Sequence, residues 1–352
     1  MPKPNVRVLV VGLGTMGMSH ARAYRDVEGF DLVGFATRGA DKRADLAREF
    51  PDVPRCESFD EALAALKPDA VSICSYTETH ADFARRAFAA GAHVFCEKPL
   101  AADLAEAVSV VDAAKAAKRA LLVGYILRVH PSWMRFVEEA RGLGKPLAMR
   151  MNLNQQSYGP HWEVHKNLMR STSPIVDCGV HYVDVMCQMT GAAPKAVHAV
   201  GARLTDEIAP SMYNYGHLHI AFDDGSVGWY EAGWGPMMSE TAFFVKDVIG
   251  PKGCVSIVMA ETGGAVKSDD INAHTRTNQI LRHYTDMSKP DERIDMSDEP
   301  DHDALCEREQ RYLLKAIDED LDLTDHMNDA VKSQKIVMAA DKSIHTGQVV
   351  NL

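Results

Sequence analysis

Six residues near the start of the chain restrict its fold more than any others. Gly12-Leu13-Gly14-Thr15-Met16-Gly17 is a complete G-x-G-x-x-G. It follows Val6–Val11 (VRVLVV), which reads as a buried strand because it is β-branched and nearly continuous. A helical stretch begins near Met18. Each glycine has its own task in a dinucleotide-binding turn. Gly12 permits the tight bend, Gly14 lets the backbone approach a pyrophosphate, and Gly17 lets helix and strand pack closely. The helix N-terminus offers free N–H groups and the positive end of its dipole to the phosphates. Thr15 and Met16 complete the loop, so 12, 14, 15, 16 and 17 form the first cofactor-binding set.

The next strand, Asp31–Ala36, ends at Thr37-Arg38. An Asp or Glu near this place holds the ribose 2′-OH where NAD is preferred. Here a hydroxyl and an arginine stand instead, with Lys42 and Arg43 one turn on. Thr37 can hydrogen-bond a 2′-phosphate, and Arg38 can grip it through a forked, charge-assisted contact. That predicts NADP in preference to NAD; the other reading is a solvated basic loop.

The alternation continues with a helix at 59–66, a strand at 70–75, a helix at 79–90, a strand at 93–96, a helix at 104–117 and a strand at 121–125. Strands alternating with helices imply βαβ units and a parallel sheet covered on both faces. The strand ends at Gly12, Thr37, Ser75 and Glu97 then line one edge. The loop Ser75-Tyr76-Thr77-Glu78-Thr79-His80 lies beside the nicotinamide half of the cofactor, where Tyr76 packs either on the ring or as ordinary core. Within His93-Val94-Phe95-Cys96-Glu97-Lys98-Pro99-Leu100, Pro99 lacks an N–H and must end the strand. Glu97 and Lys98 therefore sit at the edge where ligands bind in open α/β sheets. A lysine there is a candidate proton donor, since its pKa falls readily on desolvation. A surface Glu–Lys pair is the alternative.

At 352 residues the chain is too long for one ordinary core. The pattern changes at Arg128, giving a first domain over 1–127 and a second over 128–352, with the last helix free to pack back on the first. Apolar residues at 46% and charged residues at 25% describe a globular chain rather than a disordered one. A net charge of −11 argues against nucleic acid as a partner. Seven cysteines without a C-x-x-C pair fit reduced thiols in a cytoplasmic protein. Met1-Pro2-Lys3-Pro4 leads straight into a strand without a signal peptide's apolar region. No apolar run approaches the roughly 20 residues needed to span a bilayer.

In the second domain, strand-like segments follow a helix at 131–140. They occupy 147–153, 195–204, 215–222, 227–234, 241–249 and 254–259. Leu218, Ile220 and Phe222 alternate with His217 and His219, and Asp223-Asp224-Gly225-Ser226 is a hairpin signal. The two histidines read as an open sheet face rather than metal ligands. An open, mostly antiparallel sheet of α+β type results. Residues 287–303 read as a surface loop, and helices at 303–318 and 328–345 close the chain.

Embedded here is Ser173-Pro174-Ile175-Val176-Asp177-Cys178-Gly179-Val180-His181-Tyr182-Val183-Asp184. A helix over 175–189 places Asp177, His181 and Asp184 on one face. A carboxylate one turn from an imidazole fixes its tautomer and suits it as a general base. An exposed face with an incidental ion pair is the alternative. Metal binding lacks a third ligand at a persuasive spacing, so no metal is expected. Tyr158, His161, Trp162 and His165 precede this helix as candidate pocket walls. Indole faces C–H surface while imidazole bonds hydroxyls.

Four segments together resemble the Gfo/Idh/MocA oxidoreductases (glucose–fructose oxidoreductase, inositol dehydrogenase and relatives). They are 12–20 (GLGTMGMSH), the segment through His80 with 89–101 (AAGAHVFCEKPLA), the R-x-x-P of Arg128–Pro131, and D-x-G-x-H-x-x-D over 177–184. The resemblance covers essentially the whole chain. It implies an N-terminal Rossmann domain followed by an α/β domain whose open sheet serves a homodimer or homotetramer. It implies Lys98, Asp177 and His181 as the catalytic trio, Glu97 and Lys98 near the nicotinamide ribose, and Arg128 among the cofactor-binding residues. The expected activity is hydride transfer between NADP or NAD and a secondary or anomeric alcohol, or ketone, of a sugar, cyclitol or derivative. A glycoside-cleaving enzyme using nicotinamide transiently and a non-catalytic nucleotide-binding regulator are the alternatives. Three segments depart from the family pattern: Thr37-Arg38, the 75–80 loop, and Ser171–Pro174 where a glycine-rich lead is usual.

Overall fold

Val6–Val11 forms the strand its β-branched residues predict, and a parallel sheet grows on both of its sides. The computed structural model describes residues 4–241, 244–258, 267–271 and 277–352. Met1–Lys3, residues 242–243 of the strand expected over 241–249, and Met259 lie outside the described residues. The chain divides into two units, Met1–Ile126 with Asp303–Val331, and Leu127–His302 with Lys332–Leu352.

The first unit contains β1 (Val6–Val11), α1 (Thr15–Asp26), β2 (Phe30–Ala36), α2 (Ala44–Glu49), β3 (Arg55–Cys56), α3 (Phe59–Leu66), β4 (Ala70–Ile73), α4 (Thr77–Ala89), β5 (His93–Cys96), α5 (Leu104–Ala117) and β6 (Leu121–Val123). The strands run in the order β3-β2-β1-β4-β5-β6, every pair parallel. Order reverses between β1 and β4, the switch point where such sheets bind ligands. Local chemistry starts the helices. Ser58 accepts from Glu61 N at 3.2 Å, and Asp103 accepts from Glu106 N at 2.8 Å. Val8, Val10, Phe35, Leu46 and Phe95 form the core, which Leu313 of α10 (His302–Asp318) completes.

The second unit contains α6 (Pro131–Arg141), β7 (Ala148–Gln155), α7 (Gly159–Leu168), α8 (Pro174–Asp177), α9 (Gly179–Thr190), β8 (Pro194–Ala202), β9 (Tyr215–Phe222), β10 (Val227–Trp234), β11 (Lys246–Gly250), β12 (Gly253–Val258), β13 (Gln279–Tyr284), β14 (Glu292–Asp295), the C-terminal part of α11 (Thr324–Thr346) and β15 (Val350–Asn351). Its nine strands run β14-β13-β12-β11-β7-β10-β9-β8-β15. Only β7 and β10 pair in parallel among the described pairs. The expected hairpin joins β9 to β10, with Gly225 at φ +81° and Asp224 Oδ1 accepting from Ser226 N at 2.8 Å. Leu218, Ile220 and Phe222 are buried, while His219 is exposed.

Three expectations need correction. The helix over 175–189 is two pieces, α8 and α9, parted at Cys178. A Cβ at Gly179 would stand 3.0 Å from Tyr230 Cε1, so the backbone lies flat against β10 there. The loop over 287–303 contains β14, whose partner β13 sequence periodicity also missed. The last helix starts at Thr324 rather than 328 because Asp322 Oδ1 receives the Thr324 N–H at 2.8 Å.

Candidate active site

The first unit's strands end together. Ala36 pairs with Val11, Val11 with Ile73, Ile73 with Cys96 and Cys96 with Val123. The residues that follow this row are Thr37, Gly12, Cys74, Glu97 and Gly124. Main-chain bonds close the edge, with Gly12 N donating to Ala36 O at 2.9 Å and Glu97 N to Ile73 O at 2.8 Å.

The glycine turn has the shape its sequence requires. Gly12 stands at φ +80°, and a Cβ there would meet Cys74 O and the Ser75 backbone at 2.7 Å. At Gly17 a Cβ would fall 2.0 Å from Gly12 O, so only glycine lets α1 pack on the turn. Gly14 differs, since a Cβ there would meet nothing within 4 Å. It caps α1 without a side-chain hydrogen bond, and the first turn carries no acid. The exposed backbone and uncapped helix start fit a pyrophosphate, so these residues fit the expected nucleotide. Arg43 braces the turn, donating to Leu13 O at 2.9 Å and to Asp45 through two nitrogens.

Beyond β2, Thr37 is half-buried, Arg38 and Lys42 are exposed, and neither cation pairs with a carboxylate among the described residues. Glu57, after β3, faces this loop too, accepting from Gly39 N at 2.8 Å. The 75–80 loop is internally bonded. Ser75 Oγ and Thr79 Oγ1 lie 2.6 Å apart, and Thr79 donates to Tyr76 O at 2.8 Å. Thr77 opens α4, and Tyr76 is 52% exposed. His80 is buried, with Nδ1 2.8 Å from Pro99 O and Nε2 3.0 Å from Ser75 O. Desolvation pushes its pKa down, against those two carbonyls, which favour the charged form. Both ring nitrogens are engaged, so His80 ties the 75–80 loop to the segment after Lys98. Lys98 is half-buried. Glu97 turns inward, only 6% exposed, with Oε1 2.8 Å from His20 Nε2 and Oε2 accepting from Lys98 N at 3.2 Å.

In the second unit, Asp177 closes α8 and His181 lies in the first turn of α9. Both are half-buried. Ser173 caps α8, accepting from Val176 N at 3.2 Å. It also donates to Asp341 at 2.8 Å and receives Tyr213 OH at 2.7 Å, and Tyr213 bonds Asp341 directly. Ser173→Ala removes the cap and a partner of a buried carboxyl. It should lower stability by about 1–2 kcal/mol, read as a lower denaturant midpoint at unchanged slope.

Residues 6–125 match the family model described as GFO_IDH_MocA, oxidoreductase family, NAD-binding Rossmann fold, and residues 134–255 match the GFO/IDH/MocA C-terminal domain. The chain belongs to the Gfo/Idh/MocA family. It is 33% identical over 205 residues to a UDP-N-acetylglucosamine 3-dehydrogenase of Acidithiobacillus ferrooxidans, covering 58% of this chain and 60% of that protein. It is 28% identical over 219 residues to an inositol 2-dehydrogenase of Acidothermus cellulolyticus, covering 60% and 61%. The match thus spans about three fifths of the length of these relatives. The structure of GenD2 from gentamicin A biosynthesis, in complex with NAD, superposes with TM-score 0.77 at 23% identity, over 99% of this chain and 97% of that one. That likeness is one of fold.

Within this Gfo/Idh/MocA chain, several expected site residues make hydrogen bonds inside their own unit. Arg128 forks onto Asp184 at 2.8 and 2.6 Å, and Gln188 also donates to Asp184, so Asp184 is no spare member of the Asp177–His181 face. Tyr158, Trp162 and His165 sit on or beside α7, a helix the sequence reading missed. Tyr158 is 58% exposed and donates to Pro236 O at 3.1 Å. Trp162 is buried, with its indole N–H on Glu207 at 3.2 Å. His165 stacks on Trp234 at 4.5 Å and lies 2.8 Å from Ser157 Oγ. Gln155 was missed altogether. Its Oε1 accepts from Trp234 Nε1 at 2.7 Å and from Cys178 Sγ at 3.7 Å, beside Asp177. The amide-rich run Asn152–Gln156 ending a strand was its sequence signal. Lys246 had none. It is buried, bonded to Asn152 O, and burial pushes its amine down to about 7.

Proposed function

We propose that the protein is an NAD(P)-dependent oxidoreductase acting between nicotinamide and a secondary or anomeric alcohol, or its ketone, of a sugar, cyclitol or derivative. The observation that carries this reading is the shared strand edge, which has an open, uncapped glycine turn after β1 and Lys98 after β5. Relatives named for a UDP-linked sugar and for inositol supply the substrate class. A bound nicotinamide nucleotide supplies the hydride acceptor or donor. Gly12, Gly14, Thr15, Met16 and Gly17 hold the pyrophosphate, with Ser75, Tyr76 and Thr77 on the nicotinamide side. Lys98 hydrogen-bonds the reacting oxygen and offsets charge developing there. In the oxidative direction His181 takes the hydroxyl proton on its imidazole, oriented by Asp177. Tyr158 contacts substrate, while Trp162 and His165 fix the helix beside it. The inward turn of Glu97 favours a lysine-orienting part for it over direct contact with the cofactor.

The test is absorbance at 340 nm over a panel of polyols and sugars, with NAD⁺ and NADP⁺ in parallel. NADP⁺ is the preferred cofactor in this reading, because Thr37, Arg38 and Lys42 leave two exposed cations for a 2′-phosphate. Arg38→Ala should cut the NADP⁺ to NAD⁺ preference by about tenfold, the worth of one charge-assisted contact. A wild-type preference for NAD⁺ of that size overturns the assignment. Release of reducing sugar without absorbance change points instead to glycoside cleavage.

Homodimer or homotetramer formation through the nine-stranded sheet belongs to the same reading. Arg150, Val227 and Ile249 are exposed on neighbouring strands. Sedimentation that gives a monomer counts against it. Seven free cysteines and no helix long and apolar enough to cross a membrane, among the described residues, fit a cytoplasmic site of action.

A further inference from the structure

Beneath the end of β5 a line of buried polar side chains leads away from Lys98. Tyr24, His20 and Gln310 are each at most 1% exposed, and Glu97 is 6% exposed. Tyr24 OH donates to Gln310 Oε1 at 2.6 Å. Gln310 Nε2 lies 2.9 Å from His20 Nδ1, His20 Nε2 lies 2.8 Å from Glu97 Oε1, and Glu97 Oε2 takes the Lys98 N–H at 3.2 Å. The polarity of this line is determined by its ends. Glu97 already accepts the Lys98 amide, and Tyr24 keeps its proton because burial pushes the phenol well above its ordinary value. Gln310 therefore spends its oxygen on Tyr24 and its N–H on His20 Nδ1. His20 is left with its proton on Nε2, aimed at Glu97. Tyr24, Gln310 and His20 each donate to the next, and Glu97 accepts from both sides.

The carboxylate lies over Gly124, where a side chain would crowd it. A Cβ at Gly124 would stand 3.2 Å from Glu97 Oε1 and 3.1 Å from Phe95 Cζ, and the His20 ring packs on Phe95 at 4.6 Å. Desolvation and the charge of Glu97 push the carboxyl of Glu309, also buried, well above its ordinary value. His20 also groups with Cys306 and Glu309, their donor atoms within 4.8 Å of one another. A metal there would have to break one of the two bonds that His20 already makes.

We propose that His20 and Gln310 are positioning residues, which hold Glu97 and through it the backbone of Lys98 at the sheet edge. Gln310 lies on α10, 290 residues from His20. A segment remote in sequence thus sets the geometry of the β5 end. The consequence for turnover rests on the reading of Lys98 as the group that meets the reacting oxygen; the structural consequence does not.

The test uses the full chain without substrate. In wild type, ¹⁵N shifts should report His20 as the Nε2–H tautomer, and the Lys98 amide should be protected from exchange. In Gln310→Leu that amide should exchange at least about tenfold faster, with the Phe95 amide unchanged. Gln310→Glu, which can only accept, should move the His20 proton to Nδ1 or charge the ring. If Gln310→Leu fails to fold, Tyr24→Phe removes a single hydroxyl and should show the same changes in smaller measure. Unchanged Lys98 exchange in a folded Gln310→Leu overturns the proposal, as does an Nδ1–H tautomer in wild type. In a chain with measured turnover, kcat should fall about tenfold with nucleotide Kd unmoved. Faster exchange with unchanged kcat refutes the catalytic consequence. If wild type turns over no substrate, the reading of function fails while the exchange result still decides the line of hydrogen bonds.

Discussion

Lys98→Ala should lower kcat by about 10²–10³-fold, the loss seen when one oriented donor to a developing oxyanion is removed, and should leave nucleotide affinity nearly unchanged. The asymmetry follows from where the residue sits. In the proposed reading the pyrophosphate is held by backbone at Gly12, Gly14 and the start of α1, which follow β1 rather than β5. Lys98 stands instead just past the last paired residue of β5, half-buried. Its backbone is fastened on two sides, by Glu97 Oε2 and by the neighbouring Pro99 O on His80 Nδ1. The main chain should therefore survive truncation of the side chain. Lys98→Arg retains charge but replaces a compact ammonium with a planar fork that reaches a different point, so it should rescue only a small part of the rate. Steady-state rates at 340 nm and a fluorescence titration with reduced nucleotide separate the two effects. Near-normal turnover in Lys98→Ala removes the residue from the chemistry.

The parts of the fold legible in the sequence are those whose cause is local. The turn at 12–17 requires glycine at Gly17 for a contact made within a few residues, and α3 before β4 and α5 before β6 each carry their own side-chain cap. The strand edge followed from such signals. The division of the helix at Cys178 did not, nor did the approach of Tyr230 to Gly179, 51 positions further along the chain, where only a glycine leaves room. Helix α7 was missed because it buries only Trp162 and His165, too few apolar positions for a helical period to emerge. The inward turn of Glu97 depends on His20 and Gln310, each far away in sequence. A motif identifies a residue's type and place along the chain, whereas the direction of its side chain is decided by partners that the motif does not contain.

Arg128 is the sharpest case. A motif resemblance made it a cofactor-binding residue, yet its Nε and Nη2 both lie on the carboxylate of Asp184, which is almost wholly buried. Two consequences separate the readings. As a structural partner, Arg128→Ala removes the fork from a buried carboxylate that also accepts from the Gln188 amide. Removing one member of a buried pair costs about 3–5 kcal/mol, a large fraction of the roughly 5–15 kcal/mol that stabilises a domain. The denaturant midpoint should fall accordingly, while nucleotide affinity holds in whatever fraction remains folded. Asp184→Asn in the Arg128→Ala background removes the stranded charge, and Arg128→Met with Asp184→Leu replaces the pair by apolar groups. Both should recover most of the loss, because the penalty belongs to the unpaired ion and not to the missing bridge. If Arg128→Ala instead raises the nucleotide Kd at an unmoved midpoint, the guanidinium serves the cofactor, and the fork onto Asp184 is only how it is aimed.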